Sequence, residues 1–189
     1  MKKNLGPLLA LYPTPLVILG TMTGGKPNWT LVAHVGVIGH DRLMVSLMKT
    51  HYADSFIREN KRLSLNIVTE NILEKADYAG CHSGAQTDKS DLFTWQPGEA
   101  GTPVIDDAKL VLECQMEDIY SHPIFDNFIL RILSTLAEES ILGQDGKIDY
   151  GVFKPVLFEF PTYSYLTTGE ILSPCRKMHR ASENRAGQM

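Results

Sequence analysis

The sequence predicts a mainly β fold, an antiparallel barrel or sandwich that carries a few short helices. Short apolar segments rich in β-branched residues recur along the chain, and most are separated by turn signals too brief to hold a crossover helix. Strands joined so tightly run antiparallel, and only two later segments have helical spacing.

The opening MKKNLGPLLALYPTPLVILG sets Lys2 and Lys3 before an apolar run, which imitates a secretory leader. Pro7, Pro13 and Pro15 interrupt the run and no small-residue cleavage site follows, so it reads as a short helical piece leading into the strand PLVILGT from Pro15. Gly24-Gly25 supplies the positive φ of a hairpin turn before NWTLVAHVGVIG from Asn28. Gly39-His40-Asp41 is a weaker turn before RLMVSLM from Arg42. With Thr50 as N-cap, HYADSFIREN puts Tyr52, Ala53, Phe56 and Ile57 on one helical face and leaves Asp54, Arg58 and Glu59 to solvent. RLSLNIV from Arg62 is the next strand. NILEKADYAG then turns Ile72, Leu73, Ala76 and Ala79 inward and is expected to stop at a left-handed Gly80. KLVLECQME from Lys109, FDNFILRIL from Phe125 and TYSYLTT from Thr162 complete the strands. Beyond Ser173 apolar periodicity fades, which divides the chain into one domain over residues 1–172 and a polar tail over 173–189.

Composition narrows the function. A chain of 189 residues, 43% of them hydrophobic, supports one well-buried core. A net charge of -4 from scattered residues offers no basic stripe for nucleic acid. No stretch approaches the ~18 consecutive apolar residues of a membrane span. Cys81, Cys114 and Cys175 stand at spacings unrelated to a disulfide framework, so a reducing cytoplasm is expected.

The chemistry concentrates in ADYAGCHSGAQTDK, Ala76 to Lys89. A metal site would need spaced ligands, but Cys81 and His82 are adjacent and point apart on an extended loop, so no metal is expected. A Cys81 nucleophile would need a base brought from His34, His51 or His122, none of which carries a local catalytic signature. An anion cradle asks for less: the Ser83 hydroxyl, unobstructed amides around Gly84 and the charge of Lys89. Asp88 then orders the loop or pairs with a nearby cation. SLMKTHY, Ser46 to Tyr52, offers a second donor set where a strand ends and a helix begins. Between them NWTLVAHVG mixes Asn28, Thr30 and His34 with small Ala33 and Gly36, a surface on which a flat ring can lie.

In order, GKPNWTLVAHVGVIG, VSLMKTHYADSFIREN, LSLNIV and KADYAGCHSGAQTDK resemble the flavin reductase-like family of FMN-binding split β-barrels, particularly its flavoredoxin branch, over about Pro13 to Leu166. The resemblance implies an antiparallel Greek-key split β-barrel and a homodimer holding non-covalent FMN near the subunit interface. It implies that Asn28, Thr30, Leu31, Val32, Ala33 and His34 line the isoalloxazine. It further implies that Ser46, Leu47, Met48, Lys49, Thr50 and Tyr52 reach the ribityl chain and phosphate, while Cys81, His82, Ser83, Gly84 and Lys89 close over the phosphate side. Ser83, Gly84 and Lys89 form the cradle in this reading, with Cys81 and His82 as wall and packing. Nicotinamide-using members often carry Gly-Asp-His where this chain has YSHPIF; His122 is retained as the candidate catalytic residue, but Tyr120 and Ser121 replace the first two positions. The expected function is an FMN-binding redox protein, an NAD(P)H-dependent oxidoreductase passing electrons to flavin, ferric iron or another acceptor. The alternative is a flavoredoxin-like carrier reduced by a partner protein without direct NAD(P)H use.

Overall fold

The structure, a computed structural model, describes residues 1–175 and Lys177, so most of the expected tail lies outside the described residues. Along the chain run β1 (Thr14–Pro15), β2 (Val17–Thr23), β3 (Lys26–Val32), β4 (Val35–Val37) and β5 (Arg42–Met48). Then come α1 (Ala53–Asn60), β6 (Arg62–Ile67), a 3-10 turn (Glu70–Ile72) and α2 (Leu73–Cys81). The remainder is β7 (Trp95–Pro97), β8 (Pro103–Ile105), β9 (Leu110–Ser121), β10 (Phe125–Ala137), β11 (Val156–Glu159) and β12 (Ser164–Thr167).

A seven-stranded antiparallel sheet has the order β3-β2-β6-β9-β10-β5-β4. Only Ala33 and His34 separate β3 from β4, yet these strands occupy opposite ends of that order. A few residues of extended chain reach only ~3.5 Å each. The sheet must therefore curl until its edges approach, and the single strand expected from Asn28 is the seam. Its first half pairs with β2 and its second with β5. The result is the split β-barrel that the resemblance implies. β1, β11 and β12 form a small second sheet, and β7 and β8 a ribbon.

Period-two alternation divides the core. Val17 and Leu19 of β2 point into the barrel with Val45, Leu65, Phe128 and Leu130. Leu16 and Ile18 point outward, where Trp29, Phe93, Ile72 and Ala76 form a second cluster beneath α2. The Gly24-Gly25 hairpin is borne out: both glycines have positive φ, and Thr23 pairs with Lys26 across them.

Several expectations are corrected. Residues 1–13 hold no helix, because prolines interrupt the run and nothing covers Leu5, Leu8, Leu9 or Leu11. Thr50 is not the N-cap of α1; the amide of Asp54 donates to His51 O in a turn that brings the helix start to Ala53. Asp54 is buried rather than solvent-facing, with Arg58 Nε donating to its Oδ1 at 2.9 Å. Gly80 lies inside α2, not at a left-handed cap; a Cβ there would come within 2.9 Å of Leu31, so glycine lets the helix settle on β3. β1, β7, β8 and β11 are too short to leave a periodic signal.

One buried charge ties the ribbon to the barrel. The Glu113 carboxylate, fully buried, accepts from Ala100 N at 2.9 Å, Thr102 Oγ1 at 2.8 Å and Ser134 Oγ at 2.9 Å. Burial raises its pKa, but these hydrogen bonds outweigh burial and hold the carboxyl below its ordinary value. A depressed folded-state pKa means stability present above the unfolded value and lost as pH falls through the folded one. Glu113→Ala is expected to lower stability by about 2–4 kcal/mol through the donors it leaves unpaired, and to flatten the acid limb of a pH series of denaturant melts. An unchanged acid limb would contradict the assignment.

Candidate functional site

Three strand and loop segments converge at one end of the barrel. Asn28 on β3, Tyr52 before α1, and Gly84 and Lys89 from the loop after α2 line a polar depression of about 300 Å³. A Cβ on Gly84 would lie 2.2 Å from Asn28 Oδ1 and 2.6 Å from Tyr52 Cδ1, so only glycine permits this approach. Asn28 is buried, and its Nδ2 donates to no protein atom among the described residues. An unpaired buried amide is a costly arrangement unless a ligand completes it.

Lys89 does more than lend charge. It is buried, and its ammonium donates to Ala79 O at 2.8 Å and His82 O at 2.7 Å, capping the C-terminal carbonyls of α2. Burial pulls its pKa down to about 8. Asp88 orders the same loop as expected: its Oδ1 accepts from Ser90 N at 2.9 Å and its Oδ2 meets Lys26 Nζ at 3.0 Å. The Ser90 amide first, then the Lys26 pair, hold this carboxyl down at about 2.

The seam of the barrel forms a second feature. Ala33, His34 and Ser46 share a cleft of about 490 Å³ with Tyr120 and His122 of the β9–β10 hairpin. Burial lowers the His34 pKa, which favours the neutral imidazole. Tyr12 OH lies 2.9 Å from His34 Nε2. On the other side of the seam, Leu31, Ala33, His34 and Cys81 border an aromatic pocket of about 390 Å³ walled by Phe158 and Tyr165.

Not every expected residue reaches these spaces. Val32 and Leu47 point into the barrel core. Met48 and Thr50 are exposed, and Lys49 Nζ stands 3.7 Å from the buried Asp126 carboxylate. Asp126 also accepts from Arg58 and Ser121, joining the last turn of α1 to the hairpin of His122. The amide end of α1, read as an anion site, thus already carries Asp54 in its first turn. Thr30 is buried on β3. Ser83 is exposed, and its Oγ accepts weakly from Ala85 N at 3.3 Å. His82 stacks on Tyr78 with centroids 4.0 Å apart and bonds its carbonyl, which fits the packing role. Tyr12, Asn127 and Asp126 were missed; each acts through a partner distant in sequence.

Comparison with known proteins follows the same geometry. A family model described as the flavin reductase like domain matches residues 9–161. The chain belongs to this flavin reductase-like family. It is similar to a flavoredoxin from Methanosarcina acetivorans, with 32% identity over 96% of this chain and 99% of that one, at a TM-score of 0.89. It is similar also to the flavoredoxin of Desulfovibrio vulgaris (Miyazaki F), with 31% identity over 95% and 100% of the two chains and a TM-score of 0.88. These place the chain in the flavoredoxin branch. An FMN-binding protein from Thermus thermophilus shares the fold at 19% identity over 92% and 99% of the chains, TM-score 0.78. A search of curated proteins found no match. Among the described residues, no helix is long and apolar enough to cross a membrane.

Proposed function

We propose that this flavin reductase-like protein is a redox protein that holds FMN non-covalently, with the phosphate at the Asn28–Gly84–Lys89 depression and the ring toward Ala33–His34. The observation that carries this reading is the donor set of the depression: an unpartnered buried Asn28 amide beside an ammonium, around a glycine whose missing Cβ leaves room. That set suits a phosphate dianion. Tyr52 closes one wall, and Ser83 presents a hydroxyl at the loop. When bound, FMN supplies one- and two-electron chemistry that side chains lack. The protein's own part is to position the cofactor, to exclude water with the seam and aromatic pocket, and to offer His34 and His122 as proton-handling groups beside it. Gly84→Ala is expected to weaken FMN at least tenfold by filling the cradle, while costing about 1–3 kcal/mol of stability. A fluorescence titration showing wild-type affinity would remove the phosphate from this site.

Electrons could enter from NAD(P)H, making the chain an enzyme that passes them to flavin, ferric iron or another acceptor. Two observations favour the second reading, a carrier reduced by a partner protein. Tyr120, 68% exposed, stands in the cleft where glycine would leave room. Among the described residues, no Lys or Arg lines that cleft to meet a dinucleotide's pyrophosphate. Rapid mixing of FMN-loaded protein with NADH or NADPH separates the two: the carrier reading expects no bleaching within seconds, and fast bleaching overturns it.

The same reading includes a homodimer, supported by Leu9 (54% exposed) and Leu11 (84%) at the cleft and Val37 (80%) one residue past its wall. Light scattering at twice the chain mass is the expected result. A cytoplasmic location goes with it, supported by the free thiols of Cys81, Cys114 and Cys175.

A further inference from the structure

Two buried carboxyl groups stand at the joint between α1 and the β9–β10 hairpin, and one guanidinium serves both. Arg58 Nε donates to Asp54 Oδ1 at 2.9 Å, while a second nitrogen of the same group donates to Asp126 Oδ2. Asp126 Oδ1 accepts from Ser121, its partner across the hairpin stem, and stands 3.7 Å from Lys49 Nζ. Asp54 Oδ2 is buried and has no hydrogen-bond partner among the described residues. The two carboxyls lie within hydrogen-bonding reach of each other.

A buried carboxylate oxygen without a donor is costly, and two carboxylates side by side repel. One proton removes both costs: carried on Asp54 Oδ2, it is donated to Asp126, which stays ionised as the acceptor. The surroundings of the two groups agree with that division. Burial raises the Asp54 pKa further than Arg58 lowers it, and Asp126 adds to the rise. Burial acts the same way on Asp126, but Ser121 and then Arg58 outweigh it and hold that carboxyl below the ordinary 3.8. His51, in the turn before α1, is the other titratable group that feels the Asp54 charge, and burial lowers its pKa.

We propose that Asp54 and Asp126 share one proton and form a pH-sensitive latch between α1 and the hairpin that carries Tyr120 and His122. With the proton in place, helix and hairpin stem are joined by a carboxyl–carboxylate hydrogen bond and by both arms of Arg58. When the proton leaves, two like charges face each other, and Arg58 is the one cation within hydrogen-bonding distance of either among the described residues. The hairpin tip is free to respond, since Tyr120 is 68% and Ile124 56% exposed. No cofactor contact enters the latch, so it stands independently of the FMN reading. The folded protein keeps this proton at pH values where the unfolded chain has shed it. Stability therefore falls as pH rises from the ordinary 3.8 through the folded value, by up to tenfold in the folding constant per unit.

Carbon-13 NMR of the aspartate carboxyls in the full chain reads the proton directly. The pair is expected to titrate in two steps, Asp54 above 3.8 and Asp126 below it, with the Tyr120 ring signals shifting in step with Asp54. Asp54→Asn replaces the shared proton by a permanent N–H donor and keeps an acceptor for Arg58. At pH 7 it should melt at or above the wild-type temperature, lose the decline with pH that wild type shows, and hold the Tyr120 signals still. Comparing the two proteins cancels the contribution of Glu113, while His51 and His122 are followed by their own ring signals. An Asp54 carboxyl that titrates at or below 3.8 overturns the proposal. So does an Asp54→Asn protein that melts lower at pH 7, the result expected of an ordinary ion pair, or a Tyr120 shift that follows a histidine midpoint instead.

Discussion

Lys89→Ala is expected to be the most damaging single substitution in the site, weakening both FMN and riboflavin and lowering the melting temperature as well. The ammonium caps two buried carbonyls at the end of α2. Removing it leaves Ala79 O and His82 O without that donor, which costs about 2–4 kcal/mol. The loop carrying Ser83 and Gly84 loosens with it. A residue that only touched phosphate would weaken FMN and spare riboflavin; here riboflavin should weaken too, and FMN more. The pH dependence gives an independent sign. With its pKa down at about 8, Lys89 in the free protein sheds its proton well below the unfolded chain's ordinary 10.5. Between those values the unfolded state binds more protons, so stability rises with pH across that window. A phosphate dianion reverses the local preference and draws the proton back, so FMN affinity should fall above pH 8 by up to tenfold per unit. Riboflavin affinity should stay flat over the same range. Parallel slopes for the two ligands would detach Lys89 from the phosphate.

The second large effect is expected at Asp126. Its carboxylate is 1% exposed and gathers Arg58 from the last turn of α1, Ser121 from the end of β9 and Lys49 from just after β5. Asp126→Ala leaves these donors around a cavity, and about 2–4 kcal/mol of stability should be lost, discounted because Arg58 remains partly in water and keeps Asp54. Asp126→Asn preserves shape and one acceptor, and should recover about half of that loss. If Asp126 also positions the hairpin, Asp126→Asn should shift the visible absorption of the loaded protein while FMN affinity changes little. Denaturant melts and absorption spectra read the two consequences separately; a stable Asp126→Ala protein contradicts the first.

Much of the fold was legible because its signals are local. The short apolar run in VILGT and the paired glycines at 24 and 25 specify a buried strand and its hairpin within ten residues, and the strand's pleat sends Val17 and Leu19 into the barrel while Ile18 joins the outer cluster. The seam was less legible: NWTLVAHVGVIG reads as one strand, since nothing in its composition shows that Ala33–His34 changes partner from β2 to β5. In the candidate site, Asn28, Gly84 and Lys89 were legible as candidates because a polar residue opens an apolar strand at Asn28 and a hydroxyl, a glycine and a lysine gather in one loop. The role of Lys89 was not, since a carbonyl cap leaves no mark in sequence. Tyr12–His34 and Arg58–Asp126 join residues 22 and 68 positions apart, and such pairs become visible only once the barrel brings them together.

The account rests on a phosphate-recognising flavin site, and equilibrium titration of the cofactor-free protein with FMN and riboflavin tests it most directly. Quenching of flavin fluorescence should report one FMN per chain, bound at least tenfold more tightly than riboflavin at pH 7, with the difference shrinking as salt is raised. Failure to bind FMN, or equal affinity for the two flavins at low salt, would contradict the account.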